Sequence, residues 1–327
     1  MSPGRPTIVD VAARSGVSTA TVSRVLSGSQ DASADARERV LAAAEALDYR
    51  PSAVARALKL RSTRTLGLVV TDIENPFFPQ LVSAIEAEAT ARGYGLLLCN
   101  TTDDDARELA ALKLLVEQRV DGIMLASSRA MRRHARLLHT VGVPLVLVNS
   151  RGVAGLASVD TASRRGARMA AEHLIGLGHR RLAHFTAPRT NAAAVERLAG
   201  VRDAVRAARA ELDVVAGDGR VDGGARAAGS IAADITGVVC YNDLAAIGAM
   251  RALRSAGRRV PEDVSVIGFD DIEMAAWTDP PLTTIRQPIG AMGRWAVSRL
   301  FDDAREREQV HLDPTLVVRG STAPPRA

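Results

Sequence analysis

The stretch IVDVAARSGVSTATVSRVL, from Ile8 to Leu26, predicts two short helices separated by a tight turn. Its apolar residues recur at helical spacing, Gly16 can end the first helix, and Ser18 is placed to cap a second helix. Two helices joined in this way, with short side chains outward on the second, form the arrangement that a helix-turn-helix uses to enter the DNA major groove. Many three-helix bundles share the pattern, so alone it is only moderately specific.

The outward side chains of the second helix are candidate DNA contacts. Thr19 and Ala20 lie at its N-terminus, where side chains can enter the major groove, and Arg24 can reach guanine O6 and N7 in a bidentate fork. Hydroxyl side chains near helix N-termini can bind phosphates. The predicted DNA-binding residues of this segment are Thr7, Ser18, Thr19, Ala20, Thr21, Ser23 and Arg24.

The N-terminal fifth of the chain is also basic. Residues 1–65 contain ten Arg and Lys against six Asp and Glu, whereas the rest contains 32 against 31. A basic end on a near-neutral body fits a contact with a polyanion, although an Arg-biased solvated surface would give the same charge. A third helix is predicted over Ala34–Leu47, with a buried face of Val40, Leu41, Ala44 and Leu47.

From Leu66 onward, apolar runs alternate with helical stretches. The runs form two sets: Leu66–Thr71, Tyr94–Asn100, Gly122–Ala126 and Pro144–Asn149, then Arg181–Thr186, Val214–Ala216, Gly237–Tyr241 and Val264–Phe269. The predicted helices are 77–92, 104–118, 130–140, 162–177, 192–208, 223–233 and 243–256. This alternation predicts two lobes, each with a parallel sheet covered by helices.

Polar residues directly follow several of these strands. They are Asp72, Asn149, Asn242 and Asp270. Ligands of open parallel sheets bind at the carboxyl ends of the strands, so we expect these residues to face one another across a cleft. Arg197 lies on the helix after one strand, and Phe77 could cover an apolar ring face. Carboxylates, amides and a guanidinium suit a hydroxyl-rich ligand. The alternative is that Asp and Asn simply cap turns and helices.

The stretches TIVDVAARSGVSTATVSRVLSG and ALDYRPSAVARALKLRSTRTLGLVV closely resemble the lactose/galactose-repressor (LacI-type) family of transcriptional regulators. The later segments ENPFF, ERLAG, YNDLAAIGAM, VIGFDD and PPLTTIRQP resemble it in the same order. The resemblance covers nearly the whole chain. It implies an α/β fold, with an N-terminal all-α helix-turn-helix headpiece and hinge helix followed by a two-lobed, periplasmic-binding-protein-like body with parallel sheets.

The resemblance also implies domain boundaries. The headpiece would span residues 1–50 and the hinge helix with its linker 51–64. The first lobe would span 65–160 with about 288–318, and the second 161–287 with about 319–327.

In this family the hinge helix forms on DNA binding and inserts a leucine into the minor groove. Leu58 stands at that position, with Arg56 and Lys59 beside it for backbone contacts, although Leu58 could also be an ordinary linker residue. The resemblance places Phe77 and Asn191 near effector contacts of the family. It matches four further residues to such contacts directly: Asn149, Arg197, Asn242 and Asp270. The predicted effector-binding residues are Asp72, Phe77, Asn149, Asn191, Arg197, Asn242 and Asp270.

One segment departs from the family pattern. Many members carry an aromatic residue directly after a Gly-Asp pair in the second lobe, where it covers the ligand. This chain has Gly219 at or near that place, followed by Arg220. The ligand class therefore stays open between a sugar-like molecule and a phosphate or carboxylate held by Arg151, Arg189 or Arg220.

These observations predict a ligand-responsive, sequence-specific transcriptional regulator. We expect a repressor that binds a pseudo-palindromic double-stranded DNA operator as a homodimer and responds to a sugar-like small molecule. Dimer contacts are expected near 77–90 and 104–118. No apolar heptads follow the final strand predicted near Leu316–Val318, so we expect no tetramer.

Two other functions fit the sequence less well. A two-lobed solute-binding protein of a transport system needs a secretory signal and no headpiece, and the sequence shows the reverse. A sugar kinase or epimerase needs a phosphate loop or an acid–base pair, and neither is visible. We therefore expect no enzyme, cofactor, metal or membrane segment, and a cytoplasmic location.

Overall fold

The chain falls into two units, Met1–Thr63 and Arg64–Ala327, each with its own hydrophobic core. The computed structural model describes residues 6–29, 31–50, 62–102, 104–128, 142–150, 152–153, 155–188, 190–302 and 308–326. The predicted helix 130–140 lies outside the described residues.

The described residues of the N-terminal unit form three helices: α1 (Ile8–Ser15), α2 (Thr19–Leu26) and α3 (Ala34–Ala46). The Thr7 hydroxyl and the Asp10 carboxylate form a reciprocal capping box at the start of α1. Gly16 ends this helix with a φ of 67°, a left-handed conformation that glycine adopts without a steric penalty. Ser18 accepts a hydrogen bond from the Thr21 amide and caps α2. The predicted turn between the two helices is confirmed.

The core of this unit is small and aliphatic. It contains Val11, Ala12, Val22, Val25, Val40, Ala43 and Ala44. The prediction for Leu41 was wrong, because this side chain is 51% exposed and Ala43 is buried instead. The helical repeat puts Val40, Ala43 and Ala44 on one face of α3, and Leu41 falls outside that stripe.

The larger unit contains a six-stranded parallel sheet. In spatial order its strands are β11 (Gln309–Leu312), β5 (Ala157–Thr161), β4 (Leu145–Val148), β3 (Gly122–Ala126), β1 (Thr65–Val70) and β2 (Gly95–Asn100). The central strands β1, β3 and β4 are almost completely buried. The helices α4 (Phe77–Ala91), α5 (Asp105–Glu117) and α10 (Ile289–Phe301) belong to this lobe. Gly293 of α10 lets the helix approach Ala84 of α4 closely.

A second parallel sheet has four strands. Their spatial order is β7 (Glu211–Val215), β6 (Arg181–Phe185), β8 (Gly237–Cys240) and β9 (Ser265–Ile267). The helices of this lobe are α6 (Ser163–Gly176), α7 (Ala192–Ala207), α8 (Val221–Ala228) and α9 (Asp243–Ser255). Gly200 allows α7 to lie against the backbone of α6, since a Cβ there would be 2.0 Å from the Arg164 carbonyl oxygen.

The last strand lies close to where it was predicted, near Leu316–Val318, but it pairs outside the first lobe's sheet. Thr315–Val317 forms strand β12, which pairs antiparallel with β10 (Thr284–Arg286) in a two-stranded ribbon and not with the first lobe's sheet. The strand that joins that sheet is β11, and Pro314 separates the two strands because proline has no amide hydrogen for a continuous ladder. Beyond the ribbon, the Ser321 carbonyl accepts a hydrogen bond from the Val266 amide of the second lobe.

Candidate functional site

A cavity of about 370 Å³ lies between the two lobes, where the carboxyl ends of the strands of both sheets meet. All seven predicted effector-binding residues line it: Asp72, Phe77, Asn149, Asn191, Arg197, Asn242 and Asp270. They come from loops and helices that follow β1, β4, β6, β8 and β9. The parallel topology of the two sheets is what gathers residues so distant in sequence.

Arg197 is the most enclosed basic group of this cavity. Its side chain is 3% exposed, and its guanidinium carbon lies 3.5 Å from the centre of the Phe269 ring and 4.7 Å from that of Tyr241. Nη1 donates to the Tyr241 carbonyl at 2.6 Å, and Nη2 lies 3.5 Å from Asp270 Oδ1. Packing on two aromatic rings and two hydrogen-bonding directions hold the guanidinium plane in one orientation.

Asp270 follows β9 with a φ of 118°, a conformation that costs a non-glycine residue energy. Its Oδ1 accepts a hydrogen bond from Gln287 Nε2 at 2.7 Å. Burial raises the pKa of Asp270 to about 6, against the lowering effects of Arg197 and Gln287. Burial and the charge of Asp270 likewise raise the pKa of Asp243 behind it. Backbone strain and a perturbed carboxyl are common at binding sites, and here both occur at one residue.

Two polar atoms of the cavity wall are shielded from solvent and have no hydrogen-bond partner among the described residues. They are Asn149 Oδ1 and Arg197 Nε. The Asn149 amide is fixed by its Nδ2, which donates to Ser127 Oγ at 2.8 Å. Buried polar atoms without partners are rare in proteins, and this cavity has both an acceptor and a donor of this kind in its wall.

Asn242 and Asn191 both cap helices, which agrees with the alternative that Asp and Asn after strands act as caps. Asn242 Oδ1 accepts from the Ala245 amide at the start of α9, and Asn191 Oδ1 accepts from the Ala193 amide at the start of α7. Each amide nitrogen is also engaged: Asn242 Nδ2 donates to the Gly219 carbonyl and Asn191 Nδ2 to the Tyr241 hydroxyl, both at 2.8 Å. The capping bonds therefore fix two side chains at the cavity wall.

The aromatic pair Phe77 and Phe78 borders the first-lobe side of the cavity. Their rings meet edge to face, with centroids 5.3 Å apart, and both side chains are buried. The rings belong to the first-lobe core and also line the cavity.

Asp72 is paired across the cavity mouth. Its Oδ2 accepts a hydrogen bond from Arg220 Nη2 at 2.9 Å, and Glu74 Oε2 lies 3.9 Å from Nη1 of the same guanidinium. Of the three arginines considered for an anionic ligand, Arg220 is thus engaged with carboxylates, and Arg151 and Arg189 lie outside the described residues.

Tyr241 is a lining residue that sequence reasoning missed. The available signal was its position directly after β8, beside Asn242, which was singled out for the same reason.

The N-terminal unit presents its predicted DNA contacts on α2 and at two helix starts. Ser18, Thr19, Ala20 and Arg24 are exposed, and Thr21 and Ser23 are partly exposed. Thr7 is also exposed, and Ser18 is hydrogen-bonded to Thr21. Both residues are the N-caps described above, of α1 and α2. The Arg24 side chain makes no ion pair with any other described residue, which leaves its guanidinium available to a partner. Arg56, Leu58 and Lys59 lie outside the described residues.

The described residues contain no group of three or more His, Cys, Asp and Glu side chains arranged to hold a metal ion. No helix among them combines the length and apolar character needed to cross a membrane.

Two family models match the chain. The model of bacterial regulatory proteins of the lacI family matches residues 7–52, and that of the periplasmic binding protein-like domain matches residues 171–322. A Streptomyces limosus protein described as an uncharacterized HTH-type transcriptional regulator in the aml 5' region is 40% identical over 98% of this chain and 96% of its own length. The chain belongs to the lacI family. It is a DNA-binding transcriptional regulator, which confirms the resemblance, the function and the fold class predicted from the sequence.

Solved structures of two similar regulators agree with this assignment. The transcriptional regulator CelR in complex with cellobiose is 34% identical, with a TM-score of 0.73 over 97% of this chain and all of its own. The lac repressor dimer bound to operator and an anti-inducer is 28% identical, with a TM-score of 0.86 over 97% of this chain and 99% of its own.

Proposed function

We propose that this lacI-family protein is a repressor that binds a pseudo-palindromic DNA operator as a homodimer and changes its operator affinity when a sugar-like molecule occupies the cavity between its lobes. The observation that carries this proposal is the convergence of the seven predicted effector residues on one cavity. The protein would act in the cytoplasm, where its operator is, and without catalytic activity.

The proposed DNA contact lies on α2. A short helix with small side chains at its N-terminus can enter the major groove, and Arg24 one turn later can read a guanine. Leu58 of the proposed hinge would enter the minor groove, with Arg56 and Lys59 on the backbone.

The proposed effector contacts are directional. Asp270 and Asn149 Oδ1 would accept hydrogen bonds from ligand hydroxyls, and Arg197 Nε would donate one. The structure of CelR was solved with the sugar cellobiose, and this supports a sugar-like effector for the present protein.

Exposed apolar residues in the first lobe support a dimer. Leu98 on the edge strand β2 and Leu114 and Val116 on α5 are 39%, 43% and 39% exposed. The lac repressor was solved as a dimer. We propose that this face, with α4, contacts a second copy, and sedimentation of a stable tetramer at micromolar protein would contradict a dimer.

A thermal-shift screen tests the effector half of the proposal. The panel contains neutral pentoses, hexoses and disaccharides together with polyols, nucleosides, purine bases and sugar phosphates. A ligand that binds the folded state raises the melting temperature, so we expect a selective rise with a neutral sugar. A rise with nucleosides or sugar phosphates alone would contradict the proposed effector class.

A further inference from the structure

We propose that the ring of Tyr241, in space left open by Gly219, is the aromatic wall against which a neutral cyclic sugar packs. The inference rests on the proposed function and names the residue that sets its ligand class. Tyr241 lines the cavity and is half-buried.

Gly219 is the reason that this ring fits. A Cβ built on Gly219 would lie 3.1 Å from both Cδ1 and Cε1 of Tyr241, closer than an ordinary van der Waals contact. A side chain at residue 219 would therefore require the ring to shift by a few tenths of an ångström or more. The chain has no aromatic residue at this point of the sequence. The tyrosine after β8 supplies the aromatic group instead, from a different strand end.

The Tyr241 ring is held in place by several contacts. Its hydroxyl accepts a hydrogen bond from Asn191 Nδ2 at 2.8 Å, and the Arg197 guanidinium packs over the ring. Its backbone amide donates to the Phe185 carbonyl at 2.8 Å. A ring fixed in this way loses little conformational entropy when a ligand packs against it.

The charges of the cavity favour a neutral ligand. Five of its described lining residues are acidic: Asp72, Glu74, Asp218, Asp222 and Asp270. All five are paired with arginines: Asp72 and Glu74 with Arg220, Asp270 with Arg197, Asp218 with Arg226 and Asp222 with Arg251. A phosphate or carboxylate would therefore find each lining guanidinium that the structure describes already paired with a carboxylate, whereas a sugar offers hydroxyls to the carboxylates and C–H groups to the ring.

The test is the affinity of the full-length protein for the neutral sugar that most raises its melting temperature, among D-ribose, D-glucose, D-galactose, maltose and cellobiose. We expect Tyr241→Ala to weaken binding about tenfold and Tyr241→Phe, which keeps the ring, to weaken it far less. Gly219→Ala should weaken binding in the wild type but not in the Tyr241→Ala background, where no ring remains to be displaced.

Gly257→Ala is the matched control for strain. Gly257 has the same φ of 77° as Gly219, but a Cβ there meets nothing within 4 Å. This variant should lose stability as Gly219→Ala does and bind the sugar normally. Melting temperatures without sugar identify any variant that fails to fold.

A second double-mutant cycle distinguishes direct packing of the sugar on Tyr241 from a role in which Tyr241 only positions Arg197. If Tyr241 acts only by holding Arg197, Tyr241→Ala will have no effect in an Arg197→Lys background, and that result would overturn the proposal. Equal affinity of wild type and Tyr241→Ala would also overturn it while leaving the proposed sugar-responsive function intact. Stabilisation by none of the neutral sugars would overturn both this inference and the effector class, and specific DNA binding would still be tested separately.

Discussion

Arg220 of the second lobe donates a hydrogen bond to Asp72 of the first lobe at 2.9 Å, so an ion pair joins the two lobes across the mouth of the cavity. The guanidinium side chain is 56% exposed and the carboxylate 17% exposed. Exposed pairs of this kind contribute at most about 1 kcal/mol. The pair forms only when the lobes are close, and it therefore favours the arrangement that encloses a ligand.

We predict that Arg220→Gln weakens sugar binding about two- to fivefold, with little change in the melting temperature of the free protein. The effect should shrink at high salt, because salt screens exposed charges. Calorimetric titration at two salt concentrations measures it. Arg226→Gln is the control, since Arg226 also pairs with a carboxylate, that of Asp218, but within one lobe. Equal losses in the two variants would show that the inter-lobe pair has no special role.

The buried Arg197–Asp270 pair should be important for stability. We predict that Arg197→Met lowers the free energy of unfolding by about 3 kcal/mol at neutral pH, because it leaves the Asp270 carboxylate buried without a cation. Adding Asp270→Asn should restore part of this loss. Urea unfolding without ligand measures both variants, with Arg164→Met as an exposed ion-pair control expected to cost under about 1 kcal/mol. A loss no larger than that control would contradict the prediction.

Asp270 should also make stability depend on pH. Its pKa rises from 3.8 in the unfolded chain to about 6 in the folded protein, so the folded state retains the proton to higher pH. The stability contribution of this group is full below about pH 3.8 and is lost as the pH rises through about 6. We predict that Asp270→Asn gains stability relative to wild type over this interval, as measured by urea unfolding at several pH values.

The stability contribution of His184 depends on pH in the opposite direction. The test therefore measures the difference in stability between wild type and Asp270→Asn. Burial lowers the pKa of this histidine from 6.5 to about 4, so its contribution is present above pH 6.5 and is lost as the pH falls through about 4. The residue is present in both proteins, and its effect cancels in the comparison. A pH-independent difference between wild type and Asp270→Asn would contradict the assigned titration.

Arg24 is predicted to read a base. Arg24→Ala should reduce discrimination at one guanine of the operator half-site by about 1–3 kcal/mol, because a bidentate contact to O6 and N7 is lost. Competition binding with operators changed one base at a time measures this. Arg14→Ala, at an exposed arginine of α1, is the control and should leave base preference unchanged. Equal weakening on operator and random DNA after Arg24→Ala would rule out base reading.

The sequence predicted most of the fold because the signals were local. The Gly16 turn, the Ser18 cap and the alternation of apolar runs with helices each depend on neighbouring residues. Four of the seven effector candidates were predicted from strand ends and lie on one cavity, since parallel topology fixes which ends meet; their role as effector contacts stays a prediction.

Features that depend on distant residues were missed. Thr315–Val317 pairs with β10 through contacts that no local pattern encodes. The place of Tyr241 follows from the space beside Gly219, more than twenty residues earlier in the chain. The pairing of Arg220 with Asp72 likewise could not be predicted, because it depends on the relative position of the two lobes.

The most direct test of the account is the dissociation constant of the full-length protein for its own DNA site, measured with and without the sugar that stabilises the protein. The site comes from selection of bound sequences from random DNA. We predict that a pseudo-palindromic sequence is enriched and that saturating sugar changes its dissociation constant at least about tenfold, because a regulatory ligand must bind the two forms unequally. Enrichment of no sequence, or the same dissociation constant with and without sugar, would contradict the account.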